Sequence, residues 1–339
     1  MCYTYAGRVY PPLNSTTVKR ISVAIQDSFS LPVTGTYGVY CNPCANGDAV
    51  GALVRLPFHD AVGGGRPNGK GGANGCIDWS FAGNNGLQEV TTLLNETYIS
   101  GGFSELLSRA DFWVLAGNTA VFIASTLPSG KIPEGGLPVP QSALELPFRY
   151  GRVDDTSCNG VDAAFLPAVQ MGYADTAAIF TTRIGMTPKQ LVAVMGAHTL
   201  GRAQGQDSGF DGSWSGYSSS FSIAYFWQLL GVQWNNKDQP PGSWIAPSPV
   251  EGGPLLINLQ SSDVELVISP SDGCSFFNEL NFTQPTPAPD PPSSCPLNKL
   301  NTATLKEFTG NQTAWWVSFA EAWTVMTEYS YADLKPVNN

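Results

Sequence analysis

Apolar residues recur along this chain at the three-and-four spacing of helices, while strand-like alternation is scarce and short. Val18, Ile21, Ile25 and Phe29 keep one apolar face behind the expected caps Ser15 and Thr16. Ser108-Arg109-Ala110-Asp111 reads as a helix start, followed by the apolar stretch from Phe112 to Ala124. Thr187-Pro188-Lys189-Gln190 is the strongest start signal: Thr at the cap, Pro in the first turn and Gln at the capping-box position. Leu191, Val194, Met195 and His198 then share a helical face. Trp316, Phe319, Trp323 and Met326 form another stripe, read as core packing. Between these segments, glycines cluster at 63–65 and 69–75, and the tract from Gln284 to Pro296 is Pro-rich. The expected architecture is mainly α, with a ligand held between two helical halves.

Composition removes several function classes. The formal net charge of -10 argues against nucleic acid, whose phosphates demand Lys and Arg. No run of about 18 apolar residues exists, so no membrane-spanning helix is expected. Cysteines at 2, 41, 44, 76, 158, 274 and 295 do not form paired zinc-finger sets. Together with sequons at Asn14, Asn95, Asn281 and Asn311, they point to a secreted glycoprotein with disulfides. Met1 directly before Cys2 reads as a start residue placed on a mature sequence. Cys274 and Cys295 bracket a loop and are the first pair expected to bond.

The chain holds two histidines, His59 and His198, each in a helix-like segment. A lone histidine on an apolar face is usually a satisfied core residue, so the neighbours decide. In Arg55-Leu56-Pro57-Phe58-His59-Asp60, Arg55 and His59 share a helical face. A base beside a guanidinium suits O–O cleavage: the base moves the proton and the cation steadies the leaving oxygen. Pro57 removes one helical hydrogen bond and is expected to bend this face. In Met195-Gly196-Ala197-His198-Thr199-Leu200-Gly201, His198 has the character of an axial ligand. Such a ligand needs a partner for its second nitrogen, and Asp263 is a candidate.

The ordered set RLPFHD, NNGL, LPFRYGRVD, MGAHTLG and SGFDGSW resembles the haem peroxidase superfamily of plants, fungi and bacteria. Similarity runs from about residue 15 to about 275 and fades in the last 60 residues. The resemblance implies one haem peroxidase domain over 1–339. Its distal half would cover about 1–145, its proximal half about 146–280, and a Pro-rich extension about 281–339. It implies haem b, with no covalent attachment because a CxxCH motif is missing. Arg55, His59 and Phe58 match the distal arginine, histidine and aromatic. Asn84 matches the asparagine that orients the distal histidine. His198 matches the iron ligand and Asp263 its carboxylate partner. Trp214 matches the proximal tryptophan of the intracellular class I enzymes, where secreted fungal class II enzymes usually carry Phe. The resemblance lets Trp214 donate to Asp263 and hold an oxidising equivalent as a radical; the alternative is a packed core tryptophan.

Departures narrow the expectation. Asp60 and Asn74 stand at a distal calcium site, but Cys76 is a poor calcium ligand; the alternative is a loop tied by a Cys76 disulfide. Ser222 stands where a proximal cation site has Asp, so no proximal cation is expected. Manganese-site positions read Asp48, Ala52 and Gln204, too few carboxylates for tight Mn(II) binding. Asp207 stands where ascorbate peroxidases carry Arg and should repel that anion. The implied function is reduction of hydrogen peroxide with small aromatic or phenolic donors, by a secreted monomer. Two rivals are a peroxidase that oxidises a protein partner, and a secreted haem-binding glycoprotein without catalysis. A zinc-binding structural protein fits less well, since the histidines lack clustered partners.

Overall fold

The computed structural model describes residues 10–31, 45–64, 72–127, 143–155, 158, 165–168, 171–208, 211–231, 234–237, 243–247, 256–264 and 298–339. Helices dominate. The first, α1 (Ser15–Ser28), buries Ile21 and Ile25. Its cap is Asn14, one residue before the expected Ser15 and Thr16; the Asn14 side chain accepts from Thr17 N–H at 2.8 Å. Next come α2 (Ala45–Gly63), α3 (Gln88–Ser100) and α4 (Arg109–Thr126). Ser108 caps α4 by accepting from Asp111 N–H, and α4 is buried on nearly every side. A helix apolar all round belongs at the centre of a domain, and α2 and α3 pack on it.

Pro57 does not end α2, which runs through it. Room for its ring comes from Gly117 of α4, where an added Cβ would lie 2.8 Å from Pro57 Cγ. The proximal side holds α5 (Tyr173–Ala177), which widens into a π-helix over Ala178–Ile184. Then come α6 (Pro188–Met195), opened by the full Thr187–Gln190 capping box, and α7 (Ala224–Gly231). The helix carrying Leu191, Val194 and Met195 stops short of His198, which sits instead on a 3-10 turn, Gly196–Thr199. Gly196 admits the Trp315 indole there, since an added Cβ would come within 2.6 Å of its Nε1.

Residues 298–339 are no appendage, contrary to the expected C-terminal extension. They form α8 (Lys299–Gly310) and α9 (Gln312–Thr327), which pack against α6. Trp315, Phe319, Trp323 and Met326 are buried, and Trp323 donates to Asn118 Oδ1 of α4 at 2.8 Å. The aromatic stripe read as core packing is a buried helix face. The Cys274–Cys295 pairing lies outside the described residues.

The strands are β1 (Arg149–Tyr150), β2 (Arg202–Ala203), β3 (Gly212–Ser213), β4 (Asn235–Lys237), β5 (Ser243–Pro247), β6 (Leu256–Gln260) and β7 (Lys335–Pro336). A five-stranded sheet has the order β2-β3-β6-β5-β4, with β3 and β6 parallel and the other pairs antiparallel. A separate pair joins β1 to β7. Five-residue β5 and β6 exceed what scarce alternation suggested. Among the described residues, no helix is long and apolar enough to cross a membrane.

The polar residues of LPFRYGRVD tie these layers together. Arg152 pairs with Asp111 at 2.7 Å in full burial and donates to Thr327 O of α9. Burial pushes the Asp111 pKa up, against the charge of Arg152. Arg149 pairs with Glu328, and Asp154 accepts from the first N–H groups of α4, those of Arg109 and Ala110. A disulfide joins Cys76 to Cys158.

One backbone approach joins the two halves. A Cβ on Gly51 of α2 would lie 2.8 Å from Gly201 Cα, just beyond the His198 turn, and Gly201 itself has φ +76°. Backbone cannot rotate away as a side chain can. Gly51→Ala is therefore expected to destabilise the fold by about 1–3 kcal/mol, measured by urea unfolding; an unchanged midpoint would count against this contact.

Candidate active site

The distal residues stand on one turn of α2 and the loop that follows it. His59 is buried, and its Nδ1 lies 2.7 Å from Asn84 Oδ1. Asn84 is set in turn by donating its Nδ2 to Asp78 O at 2.8 Å. With the amide so oriented, Nδ1 carries the proton and Nε2 keeps the lone pair. Arg55 Nε donates to that Nε2 at 3.1 Å. The remaining guanidinium nitrogens donate to Asn85 O at 2.9 Å and Gly83 O at 2.6 Å. Thus the NNGL loop that orients the base also aims the cation.

The electrostatics follow from burial. His59 is held well below 6.5, first by burial and then by the charge of Arg55, with the Asn84 bond opposing. Its imidazole is neutral at neutral pH and able to take a proton. Burial lowers the Arg55 pKa to about 10, against the charge of Asp207, so it stays a cation. Phe58 meets His59 edge-on at 5.2 Å and stacks at 6.2 Å on Phe180 of the π-helix.

The proximal residues converge from three places in the sequence. His198 Nδ1 lies 2.7 Å from Asp263 Oδ1. Asp263 follows β6 and is fully buried. Burial lowers the His198 pKa, but the charge and hydrogen bond of Asp263 outweigh it and leave the pKa raised. Trp214 stacks nearly parallel on His198, with ring centroids 4.9 Å apart. Tyr225 of α7 donates its hydroxyl to Asp263 Oδ1 at 2.8 Å. Burial and the Asp263 charge push this phenol well above 10, so it remains a donor.

Both histidines thus have Nδ1 tied to a buried partner. A neutral imidazole donating Nδ1–H to a carboxylate, with Nε2 left as a lone pair, is the donor set that haem iron takes. The His198 side chain is 31% exposed while its partner Asp263 is 0% exposed, so the ring has an open side for such a group.

Residues 39–230 match the family described as peroxidase. This chain belongs to the peroxidase family. It is 29% identical over 232 residues to a Gibberella zeae protein that carries a heme-binding peroxidase name, covering 67% of this chain and 62% of that one. It is 28% identical to the mitochondrial cytochrome c peroxidase of Yarrowia lipolytica, over 55% of this chain and 50% of the relative. It is 30% identical to L-ascorbate peroxidase 3 of Arabidopsis thaliana, over 55% and 58%. In each case the chain spans less than two thirds of the relative. Names of the relatives place those proteins in the mitochondrion, the peroxisome or the cytosol.

Asp60 and Asn74, the expected calcium oxygens, accept from backbone N–H groups. The Asp60 carboxylate accepts from the backbone N–H groups of Asn74 at 3.0 Å, Gly75 at 2.9 Å and Cys76 at 3.3 Å. Asn74 Oδ1 accepts from Cys76 N–H at 3.1 Å. These bonds hold a loop whose other tether is the Cys76–Cys158 disulfide. Burial pushes the Asp60 pKa up to about 7, against those three N–H bonds. Ser222 is buried and accepts from Ala224 N–H at the start of α7. The side chain of Asp48 lies outside the described residues. Asp207 sits beside the distal loop, where an added Cβ on Gly86 would lie 2.9 Å from its Oδ2.

Sequence patterning missed Tyr225. It lies in an apolar helix with nothing polar beside it to betray a role. The Arg55 influence on His59 is measurable. In protein labelled with 15N-histidine, His59 is expected to titrate well below 6.5, and Arg55→Leu should move that midpoint upward. A midpoint that stays in place would separate the two residues.

Proposed function

We propose that this chain is a haem-dependent peroxidase, which reduces hydrogen peroxide and oxidises small aromatic or phenolic donors in one-electron steps. The observation that carries this is the paired anchoring of Nδ1 on His59 and His198, with Arg55 bonded to the His59 ring. A storage protein does not need a buried base with a depressed pKa beside a cation. That disfavours the non-catalytic haem-binding glycoprotein.

His198 would hold haem b through Nε2, with Asp263 strengthening its electron donation. Haem, when bound, supplies the electrons that reduce the peroxide and takes replacements singly from a donor. The protein moves the proton. Peroxide displaces the Arg55–His59 contact and gives a proton to His59 Nε2. His59 returns that proton to the far oxygen as the O–O bond breaks, and Arg55 balances the charge on the departing oxygen. Asn84 keeps the ring in register through both transfers. Phe58 shields the base with an apolar edge.

Trp214 supports a second reading, in which an oxidising equivalent rests there as a radical and passes to a protein partner. Its favouring observation is the 4.9 Å stack on His198. The acidic chain suits a basic partner. Secretion as a glycoprotein is supported by the Cys76–Cys158 disulfide and by exposed sequon asparagines at 14 and 311. One peroxidase domain over 1–339 is supported by packing of the C-terminal helices on α6.

Two outcomes test the proposal. His59→Leu is expected to slow the reaction with peroxide by about 10²–10⁴-fold in stopped-flow absorption, while His198→Ala loses the haem band; wild-type behaviour in both would reject it. Trp214→Phe should spare phenol turnover if donors react at the haem, and abolish turnover of a protein donor if Trp214 relays the electron.

A further inference from the structure

Asp263 Oδ1 serves two donors: His198 Nδ1 at 2.7 Å and the Tyr225 hydroxyl at 2.8 Å. Asp263 and Tyr225 are both fully buried, so water does not compete for this oxygen. Tyr225 is held in place by its neighbours. Its ring meets His198 edge-on at 6.2 Å and Phe226 at 5.0 Å. Phe226 in turn packs against Trp315 of α9 at 5.5 Å. The hydroxyl therefore cannot swing off the carboxylate without moving the core.

We infer that Tyr225 is a positioning residue that sets how strongly Asp263 pulls on the His198 proton. This rests on the proposal that His198 is the iron ligand. A carboxylate oxygen shared by two donors gives less charge to each. Tyr225 thereby restrains the imidazolate character that Asp263 imparts, and with it the electron donation at Nε2. The same hydroxyl also pins Oδ1 beside Nδ1, which keeps the imidazole plane parallel to Trp214. Tyr225 thus acts on the reaction through Asp263 and His198, without touching substrate.

The test compares Tyr225→Phe with wild type in the full chain, before and after loading with hemin. With two histidines in the chain, 15N-histidine labelling isolates the His198 ring. Before loading, the His198 Nδ1 proton is expected to move downfield in Tyr225→Phe, as its bond to Asp263 strengthens. After loading, the ferric/ferrous midpoint potential should fall and the ferrous iron–histidine stretching frequency should rise. A folded variant in which none of these signals moves would overturn the inference. Should Tyr225→Phe fail to fold, wild type decides: a slowly exchanging Tyr225 hydroxyl proton with a cross-peak to the His198 Nδ1 proton supports it, and absence of that cross-peak rejects it. A chain that shows the downfield shift yet takes up no hemin would leave Tyr225 in its role and remove the peroxidase proposal instead.

Discussion

The proximal half of this protein is organised around a carboxylate that has no access to water. Asp263 is fully buried, and a buried charge is tolerated when donors surround it. Two of those donors are His198, from the turn after α6, and Tyr225, from α7. Asp263 itself arrives at the end of β6, so the small sheet earns its place by delivering one side chain. The need to satisfy that carboxylate fixes which tautomer His198 adopts and therefore which nitrogen faces a ligand.

The distal half solves the opposite problem, since its cation and base must stay close without forming a dead end. Arg55 is restrained by carbonyl oxygens of Gly83 and Asn85 instead of by a carboxylate partner. Neutral acceptors hold the guanidinium while leaving its charge available, and burial, reinforced by that charge, pushes the His59 pKa down. Asn84, from the same loop, fixes the ring. One short segment thus orients base and cation together. The Gly51–Gly201 approach then sets the distal helix directly against the turn that carries His198. Peroxidase family membership agrees with this division of labour.

Elements that announce themselves locally were legible. The capping box at Thr187–Gln190 and the Ser108 cap depend on residues three apart, so local sequence carries them. The pairs Arg55–His59 and His59–Asn84 were recognisable because helical spacing and a motif place them. The cap of α1 was misplaced by one residue, since Asn14, Ser15 and Thr16 are all acceptable acceptors and backbone geometry chooses among them. Asp60 and Asn74 looked like calcium oxygens because their residue types suit that metal. Their neighbours' N–H groups, invisible in a residue list, also bond to them and hold a loop.

By itself, the sequence determined the helical character, the two histidines as the proposed chemical centres, and the identity of each partner that a motif carries. Those properties reside in spacing along the chain and in the intrinsic chemistry of side chains. The tertiary structure alone decided that Tyr225 shares the Asp263 oxygen, that Cys76 pairs with Cys158, and that Trp323 of the C-terminal helix bonds to Asn118 of α4. These depend on contacts between residues far apart in sequence, such as Tyr225 and Asp263 or Asn118 and Trp323. Burial decided them: a polar group withdrawn from water must find its partner in whatever the packed chain brings near, and sequence distance has no influence on that choice.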